Sequence, residues 1–152
     1  MNIAAGAIIK SLDTEEDDFF FRALVFITSH NQQGSTGFIF NRIFGRSLNE
    51  LEAYKHSKPL PLFEGGPVAA DQLFFIHHYP ELIGGGTPIT GDMRLGGDFD
   101  TAVQFLNRPD ARQSGKLKIF IGYCGWDAGE LAAEIAAGGW ELTDYPLDKI
   151  FF

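Results

Sequence analysis

Two nearly uninterrupted apolar runs on either side of a short polar turn constrain the fold of this chain more than any other feature. Phe21 to His30 (FRALVFITSH) is almost continuously apolar and β-rich after Arg22, the pattern of a strand covered on both faces. Asn31-Gln32-Gln33-Gly34 reads as a turn, and Ser35 to Asn41 (STGFIFN) is the second run. So short a connection predicts an antiparallel hairpin, and the apolar character of both arms over Val25–Ile39 places it within the core sheet.

Further strands are expected at Ile3–Lys10, Gln72–Tyr79 (QLFFIHHY), Lys116–Gly122 (KLKIFIG), Trp140–Tyr145 and Leu147–Phe152. Ser47-Leu48-Asn49-Glu50 fits the S-x-x-E capping box and predicts a short helix to about Lys55, ended by Pro59 and Pro61. Asp98 caps a helix through Asn107 that buries Phe99, Ala102, Val103 and Leu106, and Pro109 stops it. After a turn at Tyr123-Cys124-Gly125-Trp126, Asp127 and Glu130 resemble a capping box for a helix over Ala128–Ala137. Leu131 and Ile135 form its apolar stripe and Gly138-Gly139 closes it. Gly65-Gly66-Pro67-Val68 is a tight turn where a backbone can come close, and Gly84 to Gly97 is mostly loop. The order ββαβαβαβ lacks regular βαβ alternation, and no repeat or linker divides the chain. One α+β domain over residues 1–152 is expected.

Composition narrows the function. At 152 residues there is room for one ordinary domain, and 15 phenylalanines call for a bulky core. Twelve Lys and Arg against 20 Asp and Glu give a net charge of −8, which argues against specific nucleic-acid binding. The single cysteine, Cys124, excludes an internal disulfide and a cysteine-based zinc site. No apolar run approaches the roughly 18 residues of a membrane span, and Met1–Lys10 lacks the basic start of a signal peptide. A protein of a reducing compartment, away from the membrane, is expected.

The candidate chemistry is sparse. His77 and His78 point to opposite faces of a strand and cannot easily share an ion, and His30 and His56 lack partners at ligand spacing. No phosphate-cradling glycine motif is present, and Gly84-Gly85-Gly86 suits a loop. Asp13 to Asp18 reads as a solvated turn, and Glu130 and Glu134, at i and i+4, as a solvated helix face. Arg108, Arg112, Lys116 and Lys118 thicken the positive charge slightly, with Asp110 among them. Gly122-Tyr123-Cys124-Gly125-Trp126 has the strand–turn–helix setting of a nucleophile elbow, but Trp126 stands where the second glycine belongs. Cys124 is therefore expected to be core packing beside Trp126 and Tyr123. No catalytic residue, metal or cofactor is assigned.

Gly6, the segment Val25–Arg42, Glu64-Gly65-Gly66-Pro67-Val68, Gly122-Tyr123-Cys124-Gly125-Trp126 with Gly129-Glu130-Leu131, and Trp140 together resemble the AlgH/YqgE family of bacterial proteins. The resemblance implies a mostly antiparallel, bifurcated sheet curled into a pseudo-barrel with a few short flanking helices, a cytosolic location and no established enzymatic activity; some members carry the label of transcriptional regulator. It places the family signature on His30, Asn41, Arg42, Gly65, Gly66, Pro67, Trp126 and Glu134. Most of these read as structural, with His30, Asn41 and Arg42 capping strand ends; read functionally, they mark a surface for a ligand or partner. The chain departs from the family in Glu130, where glutamine is usual, and in Cys124, where a small residue such as alanine is common. Relatives in the family also tend to continue beyond the strand that here closes at Phe152. The leading expectation is a non-enzymatic cytosolic binding or regulatory module contacting a protein or small molecule. The alternatives are a Cys124-dependent enzyme and a regulator that contacts nucleic acid.

Overall fold

The structure, a computed structural model, describes residues 2–109 and 116–151, so Asp110, Arg112 and Phe152 lie outside it. The hairpin forms as expected. Strand β2 (Leu24–Asn31) pairs antiparallel with β3 (Gly34–Ile39) in the register Val25↔Ile39, Phe26↔Phe38 and Ile27↔Gly37. The register slips at Thr28, so that Ser29 faces Thr36 and His30 faces Ser35. Both faces of β2 are covered, because Val25 and Ile27 enter one apolar cluster and Phe26 another.

Strand β1 (Ile8–Ser11) flanks β2 and carries β10 (Trp140–Leu142) on its far edge. On the other side, β3 pairs with β9 (Leu117–Asp127), the longest strand. Beyond β9 come β6 (Val68–His77), β8 (Met93–Leu95) and β7 (Thr87–Thr90). A side branch leaves β9 through β5 (Pro61–Glu64), the one parallel neighbour, to β4 (Ile43–Ser47). The sheet is therefore bifurcated at β9, and its path from β10 to β7 does not close. Ile8, Phe26, Phe38, Phe120, Ile76 and Met93, from β1 through β8, share one cluster, so the sheet curls around it. Helix α1 (Phe99–Leu106) covers Leu62, Phe75 and Ile119 on one outer face. Helix α2 (Glu130–Ala136) covers Val25, Ile39 and Cys124 on another with Leu131.

Several local readings are corrected. Tyr123-Cys124-Gly125-Trp126 is not a turn: β9 runs straight through it to Asp127, because β3 supplies a ladder there. There is accordingly no nucleophile elbow. Helix α2 is entered through Gly129 at φ +79°, without an Asp127 side-chain cap. The Gly84–Gly97 stretch contains the β7–β8 hairpin, turning at Gly91 with φ +52°. Leu147–Phe151 is a 3-10 turn rather than a strand, and the stretch after Ser47 forms two 3-10 turns rather than one helix. The capping contact itself is present, with the Ser47 N–H donating to Glu50 Oε2 at 2.7 Å. The first strand starts at Ile8 rather than Ile3. Asp98 caps α1 as expected, accepting from the Thr101 N–H.

Candidate functional site

The eight signature residues separate into two groups. Asn41, Arg42, Gly65, Gly66 and Pro67 surround the fork of the sheet. Gly65 lies at its vertex: its N–H donates to Ile121 O at 2.8 Å, and its carbonyl accepts from the Ile39 N–H at 2.8 Å and the Cys124 thiol at 3.3 Å. A Cβ on Gly65 would collide with the Gly122 carbonyl, and one on Gly66 with Tyr123, so only glycine allows this close approach. Asn41 accepts from the Leu24 N–H at 3.0 Å and donates to Arg22 O at 2.9 Å, holding the left-handed residue Arg22 (φ +62°) at the entry to β2. Arg42 pairs with Glu64 at 3.2 Å, donates to Phe21 O at 3.3 Å and lies over the Phe19 ring. Asn41 and Arg42 thus each hold backbone groups of the segment leading into β2.

His30, Trp126 and Glu134 form the other group. In register, His30 faces Ser35, which faces Trp126 across three adjacent strands, and His30 Nδ1 lies 2.6 Å from Ser35 Oγ. Glu134 corrects the solvated-face reading of α2. Its Oε1 accepts from Trp126 Nε1 at 3.1 Å and from Trp140 Nε1 at 3.0 Å, clamping two rings whose centroids are 5.9 Å apart. Glu130, one turn earlier, is exposed.

On the opposite face of the same strands lies an open cleft of about 330 Å³, lined by Ser29, Asn31, Gln33, Thr36, Tyr123 and Gly125, with Trp126 at its margin. Thr28, Ser29 and Thr36 form a hydroxyl cluster at its wall, with Oγ–Oγ distances of 3.1 Å and 2.7 Å to Thr36. The slip at Thr28 puts Thr28 and Ser29 together beside Thr36. Sequence reasoning missed this cleft, although the signal was there in the hydroxyl residues that close both arms of the hairpin (Thr28-Ser29 and Ser35-Thr36).

Three further titratable groups are held within the fold. His77 is fully buried, with Nε2 donating to Gly96 O at 3.0 Å and Nδ1 accepting from the Tyr79 N–H at 3.0 Å. Burial lowers its pKa. Cys124 is 1% exposed within the cluster that holds Trp126, and burial pushes its thiol up to about 12. Tyr123 packs into the opposite cluster, so only the Trp126 half of the expected packing holds. Lys118 does not join a basic patch. Its side chain is 6% exposed, and Nζ donates to Phe40 O at 2.6 Å and Ile150 O at 2.8 Å.

A curled, open, mostly antiparallel sheet, forked at a buried glycine pair and flanked by one helix on each of two outer faces, defines the class. Within it, the chain belongs to the AlgH-like family, whose profile matches residues 8–152. It is 36% identical over 149 residues to a UPF0301 protein of Chlorobium phaeobacteroides, covering 98% of this chain and 79% of that one. A UPF0301 protein of Bacteroides fragilis is 34% identical over 139 residues, covering 91% and 70%. Among solved structures, the AlgH protein of Pseudomonas aeruginosa superposes with a TM-score of 0.74 at 24% identity, covering 97% of this chain and 80% of that one. A protein of Corynebacterium diphtheriae gives 0.72 at 18% identity with the same coverage, and both likenesses are of fold.

Proposed function

We propose that this chain is a non-enzymatic, cytosolic binding module that takes a small, neutral, hydrogen-bonding ligand in the cleft at the end of the β2–β3 hairpin. The observation that carries this reading is the lining of that cleft: hydroxyl and amide side chains, the Tyr123 ring and, among the described residues, no charged side chain. Hydroxyls and amides both donate and accept, and an aromatic flank offers an apolar surface to a ring or chain. Gly125 lines the cleft opposite Thr36 without adding a side chain.

The non-enzymatic half of the proposal draws support from Cys124, whose buried, neutral thiol is the reverse of what a nucleophile needs. A net charge of −8, with Lys118 withdrawn into the core, disfavours a duplex DNA target. The cytosolic half rests on a free, buried cysteine, which suits a reducing compartment.

The test is an amide-resolved NMR titration with mono- and disaccharides and neutral dipeptides into the millimolar range. Saturable shifts at Ser29, Thr36 and Gly125 are expected, and Gly125→Leu should abolish them. A Cβ at Gly125 meets only the Tyr123 ring edge, at 3.5 Å, so that variant fills the cleft while leaving the sheet intact. A panel that shifts none of these amides, or shifts them equally in Gly125→Leu, overturns the reading.

A further inference from the structure

A second concavity lies against the other half of β9 and differs from the hairpin cleft in size and lining. It measures about 190 Å³ and its walls are mostly apolar: Leu60, Phe63, Leu106, Ile119 and Phe151, with Lys118 the one charged lining residue among those described. An engineered cavity of about 150 Å³ with Leu, Ile and Phe walls takes up benzene, so this space has room for a phenyl ring or a short alkyl chain.

Lys118 makes the cavity more than a packing defect. Burying a charge without a partner of opposite sign is costly, and in a chain with 20 acidic residues none of those described pairs with it. Its ammonium instead rests on the carbonyls of Phe40 and Ile150 and on the Phe63 ring, 4.0 Å from the centroid. Two of its three N–H donors are thereby engaged with neutral acceptors, and no described carboxylate compensates its charge beside this mostly apolar space. Burial lowers its pKa to about 8, which still leaves the amine charged at neutral pH.

We propose that this cavity binds a small organic carboxylate with an apolar body, such as a short-chain fatty acid or an arenecarboxylate, with its headgroup on Lys118. The carboxylate supplies the missing negative charge, and the body fills the mostly apolar space. A phosphate dianion fits poorly, because it needs several donors, and the two carbonyls that crowd the ammonium repel its second charge.

The probes are benzoate and hexanoate, benzyl alcohol as the neutral counterpart of benzoate, and inorganic phosphate as a headgroup alone. In NMR titrations of the wild-type protein, benzoate and hexanoate should shift the amides of Phe63, Leu106 and Ile119 saturably. Benzyl alcohol should bind there at least about tenfold more weakly, and phosphate should leave these amides unmoved. Lys118→Met keeps the length of the side chain and removes its charge; it should weaken benzoate by about tenfold or more and leave benzyl alcohol unchanged. Equal affinity for the acid and the alcohol in the wild type, or shifts confined to the hairpin cleft, overturns the proposal. That wild-type comparison decides the matter even if the variant fails to fold.

Discussion

Between Leu117 and Ile121, β9 is flanked by β5 and β6; between Cys124 and Asp127, its partner is β3. Each half carries one buried group able to ionise, Lys118 in the first and Cys124 in the second. On the face that carries Cys124, the second half is closed. Gly65 and Gly122 bring two backbones into contact, and the thiol donates to the Gly65 carbonyl in a cluster of Val25, Ile39 and Trp126. The first half is open. Its parallel neighbour begins only at Pro61, which has no N–H to extend a ladder, and a cavity remains beside Leu117 and Lys118. Packing in this sheet is thus set by which residue ends each pairing: glycine lets chains meet, and proline stops them short.

The sharpest way to break the comparison is at the fork itself. Gly65→Ala drives a methyl group into the Gly122 carbonyl, with the Phe38 ring at 2.9 Å and Phe120 Cβ at 3.2 Å leaving no room to retreat. It should cost at least about 4 kcal/mol, among the largest effects single substitutions show, whereas Gly125→Ala on the same strand should fall within about 0.5 kcal/mol. Urea denaturation measures both, and a Gly65→Ala protein of near wild-type stability would mean that the fork is looser than described.

Next in size is a pair of opposite pH dependences. Lys118 gives up its proton near pH 8 when folded, against an ordinary value of 10.5. Between those limits the unfolded chain binds more protons, so stability rises with pH, by up to about 3 kcal/mol from this group. The Cys124 thiol keeps its proton to about 12 when folded, against an ordinary 9.0. Between those limits the folded chain binds more protons, so stability falls, by up to about 4 kcal/mol from this group. Lys118→Met should remove the rise that starts near pH 8, and Cys124→Ala the fall that continues beyond pH 10.5. Denaturation midpoints measured across this range check both signs, and identical pH profiles for the wild type and Lys118→Met would show that the ammonium is solvated after all.

What the sequence disclosed follows the same division. The hairpin was legible because both arms are apolar on both faces, and Asp98 and the Leu131–Ile135 stripe announced their helices by local chemistry alone. Gly65-Gly66-Pro67 was legible as a close approach, though not what it approaches, since Gly122 lies far along the chain. Tyr123 to Trp126 was misread because strand continuity there depends on β3, a tertiary partner that overrides the turn signal of two glycines. The β7–β8 hairpin was hidden by the glycines around it. Glu134 and Lys118 were both read as charges in ordinary settings. Their actual roles depend on two indoles and a cavity that only the folded sheet assembles. A lysine within the apolar run Leu117–Ile121 was the one available hint of the second site.

Glu134 gives a smaller, more local contrast. Glu134→Ala leaves the indole N–H groups of Trp126 and Trp140 without their shared acceptor and should cost about 2 kcal/mol. Glu130→Ala, on the exposed turn before it, should change stability by less than about 0.5 kcal/mol. Thermal unfolding of the two variants side by side reads the difference, and equal effects would return Glu134 to the solvated face.

The smallest expected effect concerns the thiol at neutral pH. Cys124→Ala removes one sulfur and a weak donor, yet the Gly65 carbonyl keeps its bond from the Ile39 N–H, so no buried polar group is orphaned. The loss should be about 1 kcal/mol, the cost of a small cavity, and ligand binding in the hairpin cleft should be unaffected. In the wild type, a thiol reagent should label the folded protein slowly and the urea-unfolded protein fast, because the side chain is 1% exposed and its thiolate forms only near pH 12. Rapid labelling of the folded protein that saturates well below pH 9 would mean that the closed half of β9 opens to solvent.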